Sequence, residues 1–158
     1  MSAEERLKGL GLTLPAVSEP LGTYVPAVHV GGLLFVSGQL PRRGEGLMFA
    51  GKVGQEVTLE QAQEAARQAG LYILAVVRRG LGTLDRVKRV VKVEGYVASG
   101  AAFTDQSAVV NGASELMGEV FGEAGRHARV AVGVAALPLN APVEVSAIFE
   151  VEAGQRSV

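Results

Sequence analysis

Hydrophobic residues recur at three- and four-residue steps in two parts of the chain, which predicts two amphipathic helices. The first lies between Thr58 and Gly82, where Thr58 and Gln61 can form a capping box and glycine ends the helix. The second runs from about Thr104 to Phe121, along a seam of Val109, Val110, Ala113, Leu116, Met117, Val120 and Phe121. A short third helix is predicted at the start of the chain, over Ala3–Leu10.

Three segments rich in apolar or β-branched residues predict strands outside these helices. Leu33–Ser37 is a continuous apolar run between glycines, which is typical of a strand buried on both faces. Val25–Val30 is its expected hairpin partner. Val87–Val97 reads as one long strand, and strict alternation assigns Val91, Val93 and Val97 to one face and Lys88, Lys92 and Glu94 to the other.

Two more predicted strands flank the loop 138–142 near the end of the chain. In the first, Val130, Val132 and Val134 alternate with Arg129, Ala131 and Gly133. In the second, Val143, Val145, Ala147, Phe149 and Val151 alternate with residues that include Glu144. If both valine faces pack under the helices, Arg129 and Glu144 project from the uncovered face or its rim.

This order of elements predicts an α+β fold in which two helices cover one face of a sheet and leave the other face bare. Because an uncovered apolar face is costly in water, we expect an oligomer. We divide the chain into a helix and extended arm at 1–20, a single domain at 21–152 and a tail at 153–158.

Composition narrows the possible functions. The 158 residues include no cysteine and carry a formal net charge of −1, with basic residues scattered along the chain. Disulfides, thiolate catalysis and zinc–cysteine sites are therefore excluded, and nucleic acid is a weak expectation. No apolar stretch is long enough to span a bilayer, and we expect a cytoplasmic protein without membrane contact.

Candidate chemistry centres on Arg129 and Glu144. An arginine can grip a carboxylate through two hydrogen bonds, and a glutamate can orient or deprotonate a water molecule. The alternative is a structural salt bridge between them in an oligomer interface. The segment 46–53 resembles a phosphate-binding loop but has Val53 where a hydroxyl is needed, and His29 and His127 are interpreted as surface or capping residues.

Several fragments together resemble a known family. Gly22–Val25, Leu34–Pro41, His127–Arg129, Leu137–Pro138 and Val143–Val145 occur in the order seen in the YjgF family of reactive intermediate deaminases, the RidA-like proteins once called endoribonuclease L-PSP. The resemblance extends from about residue 21 to 151. It is greatest to the longer branch of the family, which has an N-terminal extension.

The resemblance implies a chorismate-mutase-like α+β fold and a homotrimer whose sheets form a central barrel, with a pocket at each subunit interface. It also implies hydrolysis of enamine and imine intermediates such as 2-aminoacrylate to a 2-keto acid and ammonia, without a metal or organic cofactor. In this chain Arg129 would bind the substrate carboxylate and Glu144 would position the water. The implied pocket lining is Tyr24, Ser37, Gly38, Asn111 and Ala131.

Three positions depart from the archetype of the family. Ala131 stands in place of a cysteine, Ser114 in place of a tyrosine and Ser146 in place of a second glutamate. These changes affect the shape of the pocket more than the fold. Two alternatives therefore stay open, a trimer that binds a carboxylate ligand without hydrolysing it and, with less support from the balanced charge, a ribonuclease.

Overall fold

The computed structural model describes residues 1–20 and 22–153. The residue at which the domain is expected to begin, Leu21, and residues 154–158 of the expected tail lie outside the described residues. Within the described part of the chain, every helix is too short or too polar to cross a membrane.

Among the described residues, three α-helices form close to where the sequence predicts them: α1 at Ala3–Gly9, α2 at Leu59–Leu81 and α3 at Gln106–Phe121. Thr58 closes the predicted capping box at the start of α2, and Gly82 ends that helix in the left-handed conformation. The helix α3 begins two residues later than predicted. Glycine at position 82 suits this end of α2 because, without a Cβ, it adopts the left-handed conformation at no steric cost.

Five strands form one mixed sheet, in the order β1-β2-β7-β5-β6, and a two-residue hairpin, β3 with β4, stands apart. Of the described strands in the main sheet, only β5 and β6 are parallel neighbours. The strands are β1 Ala27–Val30, β2 Leu33–Gln39, β3 Arg42–Arg43, β4 Gly46–Leu47, β5 Val87–Ala98, β6 Ala128–Val134 and β7 Val143–Val151.

The core lies between the sheet and the helices α2 and α3. Alternate residues of β7 face it and are buried, from Val143 to Val151, as are the predicted apolar seam of α3 and the inner face of α2. The opposite face of the sheet has no covering element among the described residues. The predicted layer of helices on one side of a sheet is therefore confirmed.

The prediction that β2 is buried on both faces is wrong for the single chain. Leu34 and Val36 are buried, but Leu33 is 37% exposed and Phe35 is 42% exposed on the open face. These two side chains lie beside Val28 and Val30 of β1, which are also exposed. A continuous apolar run therefore marks a strand with one face in the core and one on a bare surface.

The assignment of Val91 to the inner face of β5 is also wrong. The register with β7 shifts between Val90 and Lys92, and Val90 is fully buried while Val91 is only partly so. A bulge adds one residue to a strand and turns the following side chains to the other face. Strict alternation from Val93 therefore fails before the bulge.

The faces of β6 are the reverse of those predicted. Val130 and Val132 are exposed on the open face, whereas Arg129 and Ala131 lie on the helix side, in register with Val93 and Gly95 of β5. The cause is space, because a Cβ at Gly133 would press against side chains of Gln106 and Ser99 at 2.8 Å. Small residues therefore occupy the helix side of this edge strand, and its valines face outward.

The N-terminal arm packs on the outside of the helix layer. Leu7 is 2% exposed, and the Glu4 carboxylate accepts hydrogen bonds from Nε of Arg78 at 3.0 Å and from the backbone N–H of Leu84 at 2.9 Å. Further along the arm, Glu19 forms an ion pair with Arg79 at the end of α2. These contacts hold both ends of the arm against α2.

Candidate functional site

A groove of about 650 Å³ opens between the N-terminal arm and the beginning of β7. One wall is the arm segment 16–20, and the opposite wall includes Tyr24, Gly38 and Glu144. Arg42 and Tyr72 line the same groove. Three of the predicted site residues therefore meet in one depression of a single chain.

Glu144 is the second residue of β7, and its side chain is on the open face of the sheet because its neighbours Val143 and Val145 point into the core. Burial raises the pKa of its carboxyl above the ordinary value of 4.5. Among the described residues no donor makes a hydrogen bond to this carboxylate, so nothing offsets the cost of burying its charge. A carboxylate in this condition is suited to taking up a proton.

Gly38 gives the Glu144 carboxylate its space. The register of β2 with β7 shifts between Val36 and Gln39, which brings the backbone at Gly38 close to the glutamate. A Cβ at Gly38 would overlap the Glu144 carboxylate. Only glycine is therefore compatible with both the strand path and the position of the acid.

Ser37 precedes this glycine, but its polar groups are already used within the chain. Its hydroxyl donates to the carbonyl of Val25 at 2.7 Å, and its backbone N–H donates to the carbonyl of Pro26 at 2.9 Å. These bonds fix the segment that carries Tyr24, which is exposed at the mouth of the groove. The contribution of Ser37 in this chain is to hold that segment beside β2.

Arg129 lies in a second cluster, between β6 and α3. Its Nη1 donates to Oδ1 of Asn111 at 2.6 Å and to Oγ of Ser114 at 3.2 Å. Asn111 and Ser114 are three residues apart on α3, so both face the edge strand. Ser114 Oγ also lies 2.9 Å from Nε2 of His127, whose Nδ1 is 2.6 Å from the Gly125 carbonyl.

The other edge of the Arg129 guanidinium is open. Within residues 1–20 and 22–153, its Nε and Nη2 donate to no acceptor. These two nitrogens form the fork that binds a carboxylate through parallel hydrogen bonds. The arginine is thus held on one side and available on the other.

The expectation that Arg129 and Glu144 share the uncovered face of one chain is wrong. Arg129 faces the helix side of β6 and Glu144 faces the open side of β7, with β5 between them. Their register partners on β5, Val93 and Tyr96, are three residues apart. Strand spacing and rise then separate their backbones by about 14 Å. The ion pairs among the described residues do not include one between these two side chains.

A further carboxylate, Glu94 of β5, lies on the same open face as Glu144. Tyr96 donates its hydroxyl proton to Glu94 at 2.8 Å, and Nζ of Lys92 lies 2.9 Å from its other oxygen. On β7, Oγ of Ser146 lies 3.5 Å from the Glu94 oxygen that accepts the hydrogen bond from Tyr96. The hydrogen bonds from Lys92 and Tyr96 hold the pKa of Glu94 below 4.5.

Sequence reasoning missed several residues of the two clusters. The tertiary fold brings the arm, Arg42 and Tyr72 to the groove. No local sequence motif predicts that they lie there. His127 is expected at the surface or as a cap, and its Nδ1 does contact the Gly125 carbonyl at the end of the turn 122–125, but the contact of its Nε2 with Ser114 is not predicted. The sequence did contain a signal for His127, because it is two residues before Arg129, and residues two apart in an extended segment point to the same side.

Comparisons with known proteins agree on the relationship. Residues 4–151 match the family model described as "YjgF/chorismate mutase-like, putative endoribonuclease". The chain is 50% identical to protein TCP17 of Trypanosoma cruzi over 145 residues, which cover 91% of each sequence. It is 30% identical to a 2-iminobutanoate/2-iminopropanoate deaminase of Dermatophagoides farinae over 141 residues, covering 89% of this chain and 95% of that protein.

A solved structure supports the same relationship for the fold. The crystal structure of Atu1372 from Agrobacterium tumefaciens superposes with a TM-score of 0.88 at 48% sequence identity. The superposition covers 95% of this chain and 92% of that one. The similarity therefore extends over nearly the whole chain.

Proposed function

Because this chain belongs to the YjgF family of RidA-like proteins, we propose that it hydrolyses small 2-imino acids and their enamine tautomers to 2-keto acids and ammonia. The reaction would take place in pockets between the subunits of a homotrimer. Each pocket would combine Arg129 of one subunit with Glu144 of its neighbour.

One observation carries this proposal: the two charged groups are each prepared for a ligand but are too far apart to share one within a chain. Arg129 has an open fork, Glu144 has an uncompensated carboxylate, and they lie on opposite faces of the sheet. The exposed apolar side chains of the open face, among them Phe35, Val130 and Val132, supply a reason for subunits to associate.

The chemistry needs few groups. An enamine protonated at carbon becomes an iminium ion, whose carbon is electrophilic. Glu144 accepts a proton from a water molecule as the water oxygen bonds to this carbon, which gives a carbinolamine. Glu144 then returns that proton to the nitrogen. The C–N bond breaks as the C–OH becomes C=O, and the hydroxyl proton passes to the departing ammonia to give ammonium. The products are a 2-keto acid and an ammonium ion, so the atoms and charge of the iminium and water are all accounted for.

Arg129 has the complementary task of binding the carboxylate that the imine and the keto acid share. Two charge-assisted hydrogen bonds fix the plane of that carboxylate and hence the direction from which water attacks. The arm segment 16–20 and Tyr72 would limit the side chain that the substrate carries, because they close the groove around Glu144.

The test couples an amino-acid oxidase, which releases 2-imino acids, to the purified protein and measures imine loss by semicarbazide trapping. The wild type should accelerate imine loss, and both Arg129→Ala and Glu144→Ala should lower the rate by about 100-fold or more. Light scattering should give a trimer for all three proteins.

A trimeric wild type that is inert with every imino acid tested would contradict the deaminase assignment. Thermal stabilisation of that inert trimer by 2-keto acids would then favour a carboxylate-binding protein. A monomer in light scattering would contradict the pocket between subunits.

A further inference from the structure

We propose that His127 and Ser114 are positioning residues that orient the Arg129 guanidinium for the substrate carboxylate through a directed chain of hydrogen bonds. This inference rests on the proposed function for the identity of the ligand. The donor-to-acceptor direction of the hydrogen bonds from Arg129 to Ser114 and from Ser114 to His127 does not depend on that function.

The Gly125 backbone carbonyl determines which nitrogen of His127 donates and which accepts. The Gly125 oxygen lies 2.6 Å from Nδ1 of His127, and a carbonyl can only accept a hydrogen bond. Nδ1 therefore carries the proton, and in the neutral ring Nε2 is left with a lone pair. This is the less common tautomer of a histidine side chain in water, so the fold selects it.

Ser114 passes this direction on to the arginine. Its hydroxyl, 2.9 Å from Nε2 of His127, must donate to that lone pair, since two acceptors cannot bond to each other. The Ser114 oxygen is then oriented to accept from Nη1 of Arg129 at 3.2 Å. A hydroxyl that is free to rotate would not present this lone pair consistently.

These hydrogen bonds orient the open edge of the Arg129 guanidinium, formed by Nε and Nη2. With Nη1 held by both Asn111 and Ser114, the rotation of a long, flexible side chain is restricted before the ligand arrives. Nε and Nη2 then meet a carboxylate at lower entropic cost. Once bound, the carboxylate itself fixes the guanidinium through these two hydrogen bonds, so the contribution of Ser114 and His127 should appear in substrate binding rather than in the chemical step.

The first test reads the histidine tautomer directly. The chain has two histidines, and His29 is exposed on β1, so it serves as an internal reference. Two-bond ¹H–¹⁵N correlation spectra at neutral pH, assigned with His29→Gln, should show a protonated Nδ1 and an unprotonated Nε2 for His127. An Nε2–H tautomer, or the same averaged pattern as His29, would overturn the proposal.

The second test separates binding from chemistry in the imine assay. Ser114→Ala should raise KM by about tenfold, the equivalent of one hydrogen bond to a charged group, and change kcat by less than about threefold. Ser114→Thr keeps the hydroxyl and should restore KM. Ser107→Ala, at an exposed position on the same helix, is the matched control and should behave as wild type.

His127→Phe should raise KM in the same way as Ser114→Ala, and the double variant should be no worse than either single variant, because the residues act in series. A fall in kcat at unchanged KM, or wild-type kinetics for Ser114→Ala, would overturn the proposal. If the wild type itself hydrolyses no imine, the proposed function fails separately. The positioning role of His127 and Ser114 is then tested by the His127 tautomer and by calorimetric binding of 2-ketobutyrate. Ser114→Ala should weaken that binding about tenfold, and unchanged binding would overturn the proposal.

Discussion

Two carboxylates on the open face of the sheet, Glu94 and Glu144, have opposite environments. Glu94 receives hydrogen bonds from Lys92 and Tyr96, and these lower its pKa. Glu144 receives none within the described residues, and burial raises its pKa. They are on adjacent strands, and they differ both in hydrogen-bond partners and in how deeply the carboxyl is buried. A carboxylate with complete partners supports structure, whereas one that is buried without partners is available for chemistry.

The largest expected effect tests this contrast by the same substitution at both positions. Glu144→Gln removes the proton acceptor while keeping the shape, and we expect the rate of imine hydrolysis to fall by about 100- to 10,000-fold. Glu94→Gln should change it by less than about threefold, since its carboxylate is already engaged. Rates from the semicarbazide assay decide the matter. Equal losses at both positions would remove the distinction between the two acids.

A smaller effect sharpens the contrast through the space around Glu144. Gly38→Ala places a Cβ against the Glu144 carboxylate, which must then move away from its position in the groove. We expect kcat to fall by about tenfold or more, because misplacing a catalytic group by a fraction of an ångström is costly.

Gly118→Ala is the matched control for this change, since a Cβ there meets nothing within 4 Å. Its kcat should equal that of the wild type. Full activity in Gly38→Ala would mean that the position of the Glu144 carboxylate does not limit the reaction.

The smallest effect is on stability, and its sign differs between the two acids. Glu94 has a folded-state pKa below 4.5, so its ion contributes stability above pH 4.5 that is lost as the pH falls through the lowered pKa. Glu94→Gln should therefore cost about 1 kcal/mol at neutral pH, or about 2–4 °C in Tm, and less in acid.

Glu144 should behave in the opposite way. Its folded-state pKa is above 4.5, so its ionised form destabilises the fold above that raised pKa, and the penalty disappears below pH 4.5. Glu144→Gln should raise Tm slightly at neutral pH and leave it unchanged in acid. Thermal unfolding of both variants across this pH range measures the signs, and a loss of Tm for Glu144→Gln at neutral pH would contradict the assigned environment.

Much of the fold follows from local pattern, and the failures have identifiable causes. The period of α2 and α3, the capping box at Thr58 and the β1–β2 hairpin are decided by short-range geometry and are confirmed. Strict alternation fails at Val91, because a bulge adds a residue to β5. It fails for β6 because, apart from Arg129, both sides of that edge strand are apolar or small, so pattern alone does not tell which side the helix covers.

The candidate site also has features that the sequence predicts and features that only the folded chain shows. The types of residue it needs, an arginine and a glutamate on two late strands, are evident in the sequence, and so are the departures at Ser114, Ala131 and Ser146. The contact of Ser114 with His127 and the passage of the arm beside Glu144 join segments far apart along the chain. Such contacts depend on how whole elements pack, which no local periodicity encodes.

The sequence by itself determined the elements, the layer of helices on one face of the sheet and the family, because these depend on residue periodicity and on motifs of a few adjacent residues. Only the tertiary structure decided that Arg129 and Glu144 lie on opposite faces. The physical reason is that the face of an edge strand is set by the space beneath the helix that packs on it. That space, and the burial of a Glu144 carboxylate to which none of the described residues donates a hydrogen bond, exist only once the chain is folded.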